Sequence, residues 1–486
     1  MRPFSQESVT RRSGGKHFSL DRRSWLRMAG GGFGALAFDC LDSDAKLTQL
    51  HHAAKAKRVI QIFCPGGMSQ VDTFDYKPEL SKRAGKPFDP DGNLQFFASK
   101  PGNCQPSFWK FSQHGECGRW VSELFPNLAR HVDSMAFLYS MHSKSALHGP
   151  ACFMMNTGFT LPGYPSMGSW VTYGLGSETD ELPSYVVLPD SRGLPPGGVL
   201  NWGAGFLPAT HQAVTLDFAN ANRPIRDLYP PESLRSLTDP IDQASLEFLD
   251  RLNRRHLERR SQFSDLEARI NAYEMAAKLQ LSAPEVADLK SESKATSQLY
   301  HLEDSVLGGF GRQCLMARRL SERGVRFVQV YCGAENTTAE PIRPNWDSHE
   351  DLPRDHGYWG RILDSGAAAL LTDLQSRGLL KETLVICTTE FGRQPAAQGD
   401  QALGRDHNAG AFTAWMAGGG VRGGVTHGST DELGYQAEDS PTYCYDLHAT
   451  ALHLLGIDHT KLSFYHNGIQ RRLTDVHGKV IHSLIR

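Results

Sequence analysis

Short, continuous apolar runs recur along the chain and alternate with stretches of helical periodicity. RVIQIFC (Arg58 to Cys64), MAFLYSM (Met135 to Met141) and SYVVLP (Ser184 to Pro189) are the first three. VRFVQVYC (Val325 to Cys332), TLVICTT (Thr383 to Thr389) and AFTAWMAGG (Ala411 to Gly419) follow. Unbroken apolarity, rather than alternation, predicts strands covered on both faces, as in a parallel sheet. Between them, SGAAALLTDLQSRGLL predicts a helix leading into the Thr383 strand. DLHATALHLLGI (Asp446 to Ile457) predicts another, capped by its Asp and ended at Gly456. From about Ser245 to Leu320 the sequence is charged and helical with few breakers, which predicts a helical insertion or cap. The βαβα order predicts a doubly wound, mostly parallel α/β domain with helices on both faces.

The first residues read differently. DRRSWLRMAGGGFGALAF sets Arg22 and Arg23 before a weakly apolar, Gly- and Ala-rich stretch. That order predicts a twin-arginine signal, a route for proteins already folded. The bland alternative is a basic tail before a short buried helix. Ala35 to Ala37 and Ala54 to Ala56 both fit a small-x-small cleavage pattern, and Asp39 makes Cys40 a poor lipid anchor. The expected organisation is a signal and linker over 1–56, then one domain over 57–486 with its insertion around 190–320. The expected partner is the twin-arginine machinery, and the expected location periplasmic or cell-surface.

Composition narrows the rest. The 486 residues are 40% hydrophobic, enough to bury a sizeable core. Net charge is −2, which gives no electrostatic footprint for nucleic acid. No apolar run approaches the roughly 18 residues a membrane span needs, so none is expected in the mature protein. Nine cysteines are scattered without a CxxC pair. Cys104 and Cys117 flank a short polar loop and are the expected disulfide, while Cys64, Cys332 and Cys387 read as buried thiols.

In a doubly wound sheet, chemistry gathers at the carboxyl ends of the strands. After the first strand come Gly66, Gly67, Asp72 and Asp75. After the second, His142 and His148 bracket a Ser/Lys loop, with a helix expected to begin near His148. After VRFVQVYC a long loop reaches NWDSHEDLPRDH, with Asp347, His349, Glu350, Asp351, Asp355 and His356 within ten positions. After TLVICTT come Glu390, Phe391 and Arg393, then Arg405, Asp406 and His407 before the last strand. A buried ionisable group needs a partner. For Glu390 that is either a salt bridge to Arg393 or Arg405, or a cation. Carboxylates with imidazoles suit divalent ions, and four loops of one sheet supply them together.

The segments FCPGGMSQVDTFDYKP, NWDSHEDL, TTEFGRQP, GRDHNAGAF, MAGGGVRGGVTHGSTDELGY and DLHATALHLLGIDH resemble the exported bacterial family catalogued as domain of unknown function 1501. The resemblance runs from about Lys57 to Val480. More distantly it reaches the alkaline phosphatase and sulfatase superfamily, which implies an alkaline-phosphatase-like α/β core. It implies Asp72, Asp347, His349, Glu390 and His407 as ligands of a divalent metal: Zn, Mn, Ca or Mg. Two positions depart from the pattern. Phe391 stands where that superfamily has a ligand His, and His148 stands where sulfatases carry the nucleophilic Cys or Ser.

Two functions follow as expectations. One is an exported metal-dependent hydrolase of phosphate or sulfate esters, small-molecule or polysaccharide. In it His148 is nucleophile or acid/base, Ser145 a weaker nucleophile candidate, and Arg393 or Arg405 the fork for the anion. The other is a catalytically inactive envelope or binding protein that retains the fold.

Overall fold

Every one of the six apolar runs is a strand in the computed structural model. The structure describes residues 50–89, 101–216, 248, 251–256, 270, 286, 288–335, 345–399 and 403–486. The twin-arginine segment and most of the 217–287 stretch lie outside these residues.

Eight strands form the central sheet: β1 (Arg58–Phe63), β2 (Met135–Met141), β3 (Tyr185–Leu188), β4 (Val214–Thr215), β5 (Phe327–Tyr331), β6 (Thr383–Thr388), β7 (Phe412–Ala417) and β8 (Thr426–His427). Their order across the sheet is β8-β2-β7-β6-β1-β5-β3-β4. β1 lies at the centre, parallel to β5 with Val59 opposite Phe327, and parallel to β6 with Val59 opposite Leu384. β7 alone runs against its neighbours, placing Trp415 opposite both Phe137 and Cys387. This is the expected α/β architecture with a mostly parallel sheet.

Strand alternation divides the core in two. Ile60, Ile62, Val328, Val330, Val385 and Cys387 face one apolar layer. Against them pack α4 (Gly308–Glu322), through Leu315 and Leu320, and α5 (Leu352–Ser376), through Leu363, Leu370 and Leu374. Val59, Phe63, Phe327, Tyr331, Leu384 and Ile386 face the other layer. There they meet α2 (His148–Thr157), α3 (Met167–Leu175) and α6 (Cys444–Leu454). Each such side chain removed from water stabilises the fold by roughly 1.5–3 kcal/mol. Gly366 lets α4 and α5 close on each other, since a Cβ there would stand 2.4 Å from the Phe310 ring.

Three expectations change. Gly308 to Leu320, read from sequence as part of a charged cap, belongs to core helix α4; its Arg318 and Arg319 are buried in ion pairs with Glu292 and Asp373, and its apolar residues meet the sheet. Asp446 caps α6 from within its first turn rather than from the residue before it, its Oδ2 accepting from Tyr443 N at 3.2 Å. Cys104 and Cys117 are both free. Cys104 is tied into a ladder opposite Ala396, whereas Cys117 sits in a separate hairpin turn with its thiol near His114 O.

Candidate metal centre

The carboxyl ends of β1, β5 and β6 converge, and the loops leaving them meet through glycine. Gly66 (φ +110) turns the chain after β1, ahead of the short helix α1 (Gln70–Thr73); a Cβ there would stand 2.5 Å from Asp347 N. Gly404 plays the same part opposite His349, whose carbonyl carbon would lie 2.0 Å from an added Cβ. Backbone bonds fix that approach: Arg405 N to Ser348 O at 3.1 Å and Leu403 N to Glu350 O at 3.2 Å. A two-residue ladder pairs Arg393 with His407. α2 delivers His148 at its first residue. It is pinned to the sheet by Asn156, whose Oδ1 accepts from Gln329 Nε2 on β5 at 2.8 Å.

These contacts gather three imidazoles around one carboxylate oxygen. Asp347 Oδ1 lies 2.8 Å from His349 Nε2, 3.3 Å from His148 Nε2 and 3.3 Å from His407 Nε2. His349 Nε2 and His407 Nε2 are 3.0 Å apart. Each ring spends its other nitrogen on an acceptor. His148 Nδ1 donates to Glu390 Oε1 at 2.7 Å, His349 Nδ1 to Gln398 Oε1 at 2.5 Å, and His407 Nδ1 to Ala146 O at 2.6 Å. Imidazoles that ligate metal are oriented in this way, with the outer N–H fixed by a carboxylate or carbonyl. Two overlapping groups have metal-holding geometry: His148, Asp347 and His407, and His349, Asp406 and His407. A tetrahedral cation with ligands at about 2.0–2.2 Å requires ligand-to-ligand edges of about 3.3–3.6 Å. Of the four separations, two are 3.3 Å and two fall short at 2.8 and 3.0 Å, so the donor set fits a divalent cation with small outward adjustments. Asp347 is 20% exposed, which leaves the cluster open to solvent on one side.

The charges are arranged accordingly. Burial opposes the charge on Asp347, but Arg393 and the three imidazoles hold its pKa well below the usual carboxylate range. Burial also opposes protonation of His148; Asp347 and Glu390 outweigh it and lift that imidazole to about 9. His407 goes the other way, to about 4, because burial, Arg393 and His148 outweigh Asp347.

The remaining sequence-proposed residues surround this cluster. Glu390 is fully buried and accepts from Gly66 N at 2.7 Å as well as from His148, so neither arginine is its partner. Asp72 stands apart from the imidazoles. Its carboxylate accepts from Arg405 Nε at 2.8 Å and from Ser69 Oγ at 2.5 Å. Arg393 and Arg405 are 0% exposed, so the expected role of open anion forks does not match their placement. Arg393 donates to Gly67 O, Arg405 O, Gly66 O and Asp347 Oδ1. Arg405 donates to Asp72 and to the carbonyls of Gln105, Pro106 and Gln394. Phe391 packs its ring 4.8 Å from that of His148 and 4.7 Å from that of His407, forming an apolar wall. Of the acidic loop, only Asp347 and His349 join the cluster. Asp351 caps α5 through Arg354 N, Asp355 pairs with Arg354, and His356 Nε2 accepts from Ser69 N. Ser145 Oγ accepts from Leu147 N at 3.1 Å in a tight turn. Gln398 carries no sequence signal as an outer partner. Asp406, whose Oδ1 holds His407 N at 2.8 Å, was marked only by standing next to that His.

Known structures similar to the chain include Ps i-CgsB in complex with k-i-k-neocarrahexaose, at 11% identity, covering 82% of this chain and 72% of that one, with a TM-score of 0.36. The PsFucS1 sulfatase from Pseudoalteromonas sp. is 12% identical, with 91% and 77% covered and a TM-score of 0.33. The phosphonate monoester hydrolase SpPMH from Silicibacter pomeroyi is 10% identical, with 68% of each chain covered and a TM-score of 0.33. No curated protein sequence matches the chain. The family described as "Protein of unknown function (DUF1501)" matches residues 56–485, and the chain belongs to that family.

Proposed function

We propose that this protein is a metal-dependent hydrolase of phosphate or sulfate esters that works outside the cytoplasm. One observation supports the reading above others: three imidazole Nε2 atoms, each with its Nδ1 committed elsewhere, are directed at a single carboxylate oxygen. His148, Asp347, His349 and His407 would hold the cation. Three nitrogens and one oxygen favour a zinc-like ion over Ca²⁺ or Mg²⁺, which take oxygen donors. Such a cation supplies Lewis acidity to an ester oxygen. Of the sequence-proposed ligands, Glu390 then acts as an outer partner of His148, and Asp72 as the counter-ion of Arg405.

The chain's own groups do the remainder. α2 begins at His148, so the positive end of its dipole lies at the centre and favours an anionic ester group. Phe391 keeps water from one side of the imidazoles. As a ligand His148 has both nitrogens committed, Nε2 to the cation and Nδ1–H to Glu390, so in this reading it does not carry the proton to the leaving oxygen. Arg393 fixes Asp347 rather than meeting substrate. Export by the twin-arginine route belongs to the same reading. Among the described residues no helix is long and apolar enough to cross a membrane.

Elemental analysis of the purified chain, with hydrolysis of p-nitrophenyl phosphate and sulfate under added Zn²⁺, Mn²⁺, Mg²⁺ and Ca²⁺, tests the proposal. The expected result is about one tightly held cation and turnover of one ester class. No bound cation and no turnover with any of the four would remove it. The burial of Arg393 and Arg405 favours a second reading, a binding protein that holds a cation without catalysis. Stoichiometric cation with no turnover would select it.

A further inference from the structure

A cavity opens next to the Asp72–Arg405 pair, apart from the imidazole cluster. It encloses about 360 Å³, within the ~300–1,000 Å³ range of small-molecule sites. Its lining includes Val71, the residue before Asp72, and Ser107, the residue after Pro106, whose carbonyl accepts from Arg405. Besides Leu80 and Ser81, the rest of the lining is aromatic and basic, with Tyr76, Trp109, Phe111, Lys77 and Lys110. The Tyr76 ring stacks on Phe111 at 5.1 Å and leans on Trp120 at 4.6 Å. Tyr76 is 37% exposed and Trp120 38%, so this aromatic group is not sealed into the core. A cluster of aromatics left at a surface suits recognition of a partner or ligand.

We propose that this cavity binds an anionic saccharide. A pyranose ring has apolar C–H faces and hydroxyl edges. The aromatic cluster matches the faces, and Ser81, Ser107 and the lysines match the edges. The sign of the ligand follows from the charges. Lys77 is held by Asp75 at 3.1 Å, and Glu123 accepts only the backbone N–H of Lys110. Among the described residues the Lys110 ammonium has no carboxylate within ion-pair distance. It is available to a carboxylate or sulfate on the sugar. A long peptide would need an extended groove or sheet edge, whereas this is a local cavity. The site is separate from the imidazole cluster and stands whether or not that cluster binds metal.

Calorimetric titration of the purified chain with an oligogalacturonate, and with its methyl-esterified counterpart, tests this. Running it with and without chelator separates it from the proposed hydrolase. The acid form should bind equally in both buffers, and the ester about tenfold more weakly, the worth of one charge-assisted bond. Tyr76→Ala and Lys110→Glu should each weaken binding by about tenfold or more, with Lys110→Glu leaving the melting temperature unchanged. No binding of either sugar, equal binding of acid and ester, or unaltered binding by Lys110→Glu overturns the proposal.

Discussion

His349 Nε2 faces His407 Nε2 across 3.0 Å, while the Nδ1 of each ring donates elsewhere. With both outer protons placed in this way, the two inner nitrogens present lone pairs to each other and to Asp347. That arrangement is repulsive unless a positive charge lies between them. We therefore expect His349→Ala and His407→Ala each to weaken Zn²⁺ binding by more than the ~10–100-fold typical of an outer-partner change. Competition against a chromophoric chelator measures it. Unchanged affinity in both variants would mean that the pair is bridged by a proton alone.

Glu390 tests the next layer. Its carboxylate orients His148 and also holds the Gly66 amide. Glu390→Gln keeps the shape and an acceptor but removes the charge. Zn²⁺ affinity should fall about 10–100-fold, with stoichiometry retained. A complete loss of binding would instead make Glu390 a direct ligand, as its place after β6 suggested from sequence.

Much of this was legible beforehand, for identifiable reasons. Buried parallel strands must be apolar on both faces, so Arg58–Phe63 and Thr383–Thr388 announce themselves without an alignment. Asp347, His349 and His407 stood out because carboxylates and imidazoles cluster in the loops after these strands and because the family resemblance implied them as ligands. What could not be read was which partner each would take. Asp72 and Arg405 are 333 positions apart, and composition alone gives no means of choosing an arginine over a cation for that carboxylate. Gln398 was invisible for a different reason, since an amide in a loop has no spacing signature. The Cys104–Cys117 expectation failed because loop proximity in sequence does not specify ladder pairing in space.

The Asp72–Arg405 pair gives a clean discrimination. Both side chains are fully buried, so removing one charge leaves the other uncompensated. Asp72→Asn should cost about 3–5 kcal/mol in denaturant unfolding, while metal content per folded chain stays the same. Loss of metal without loss of stability would restore Asp72 as a ligand.

Gly66 carries the closest approach in the centre. Gly66→Ala places a methyl group 2.5 Å from Asp347 N, at a φ of +110 that side chains rarely adopt. The loop after β1 must then move off the Asp347 loop, displacing Glu390's amide donor with it. We expect a stability loss of about 2–4 kcal/mol and weakened Zn²⁺ binding, read by thermal unfolding with and without the ion. Gly85, with positive φ but open space around it, is the control. Ala there should bind Zn²⁺ normally.

His448 offers a pH test away from the metal centre. It is wholly buried on α6, and its Nε2 donates to Met155 O at 2.9 Å. Burial, only partly offset by that carbonyl, lowers its pKa to about 4. In the unfolded chain it titrates near 6.5. As pH falls below about 6.5 the unfolded state takes up the proton first, so folding free energy is lost progressively towards pH 4. Above 6.5 the contribution is complete and flat. Between pH 7 and pH 5 the loss from this one residue is on the order of 2 kcal/mol. His448→Gln keeps a donor for Met155 O and cannot titrate. Urea unfolding at the two pH values should show the wild-type chain losing more stability than the variant by about that amount. An equal loss in both would mean that His448 is already accessible to protons in the folded state, and that α6 opens locally at the Met155 contact.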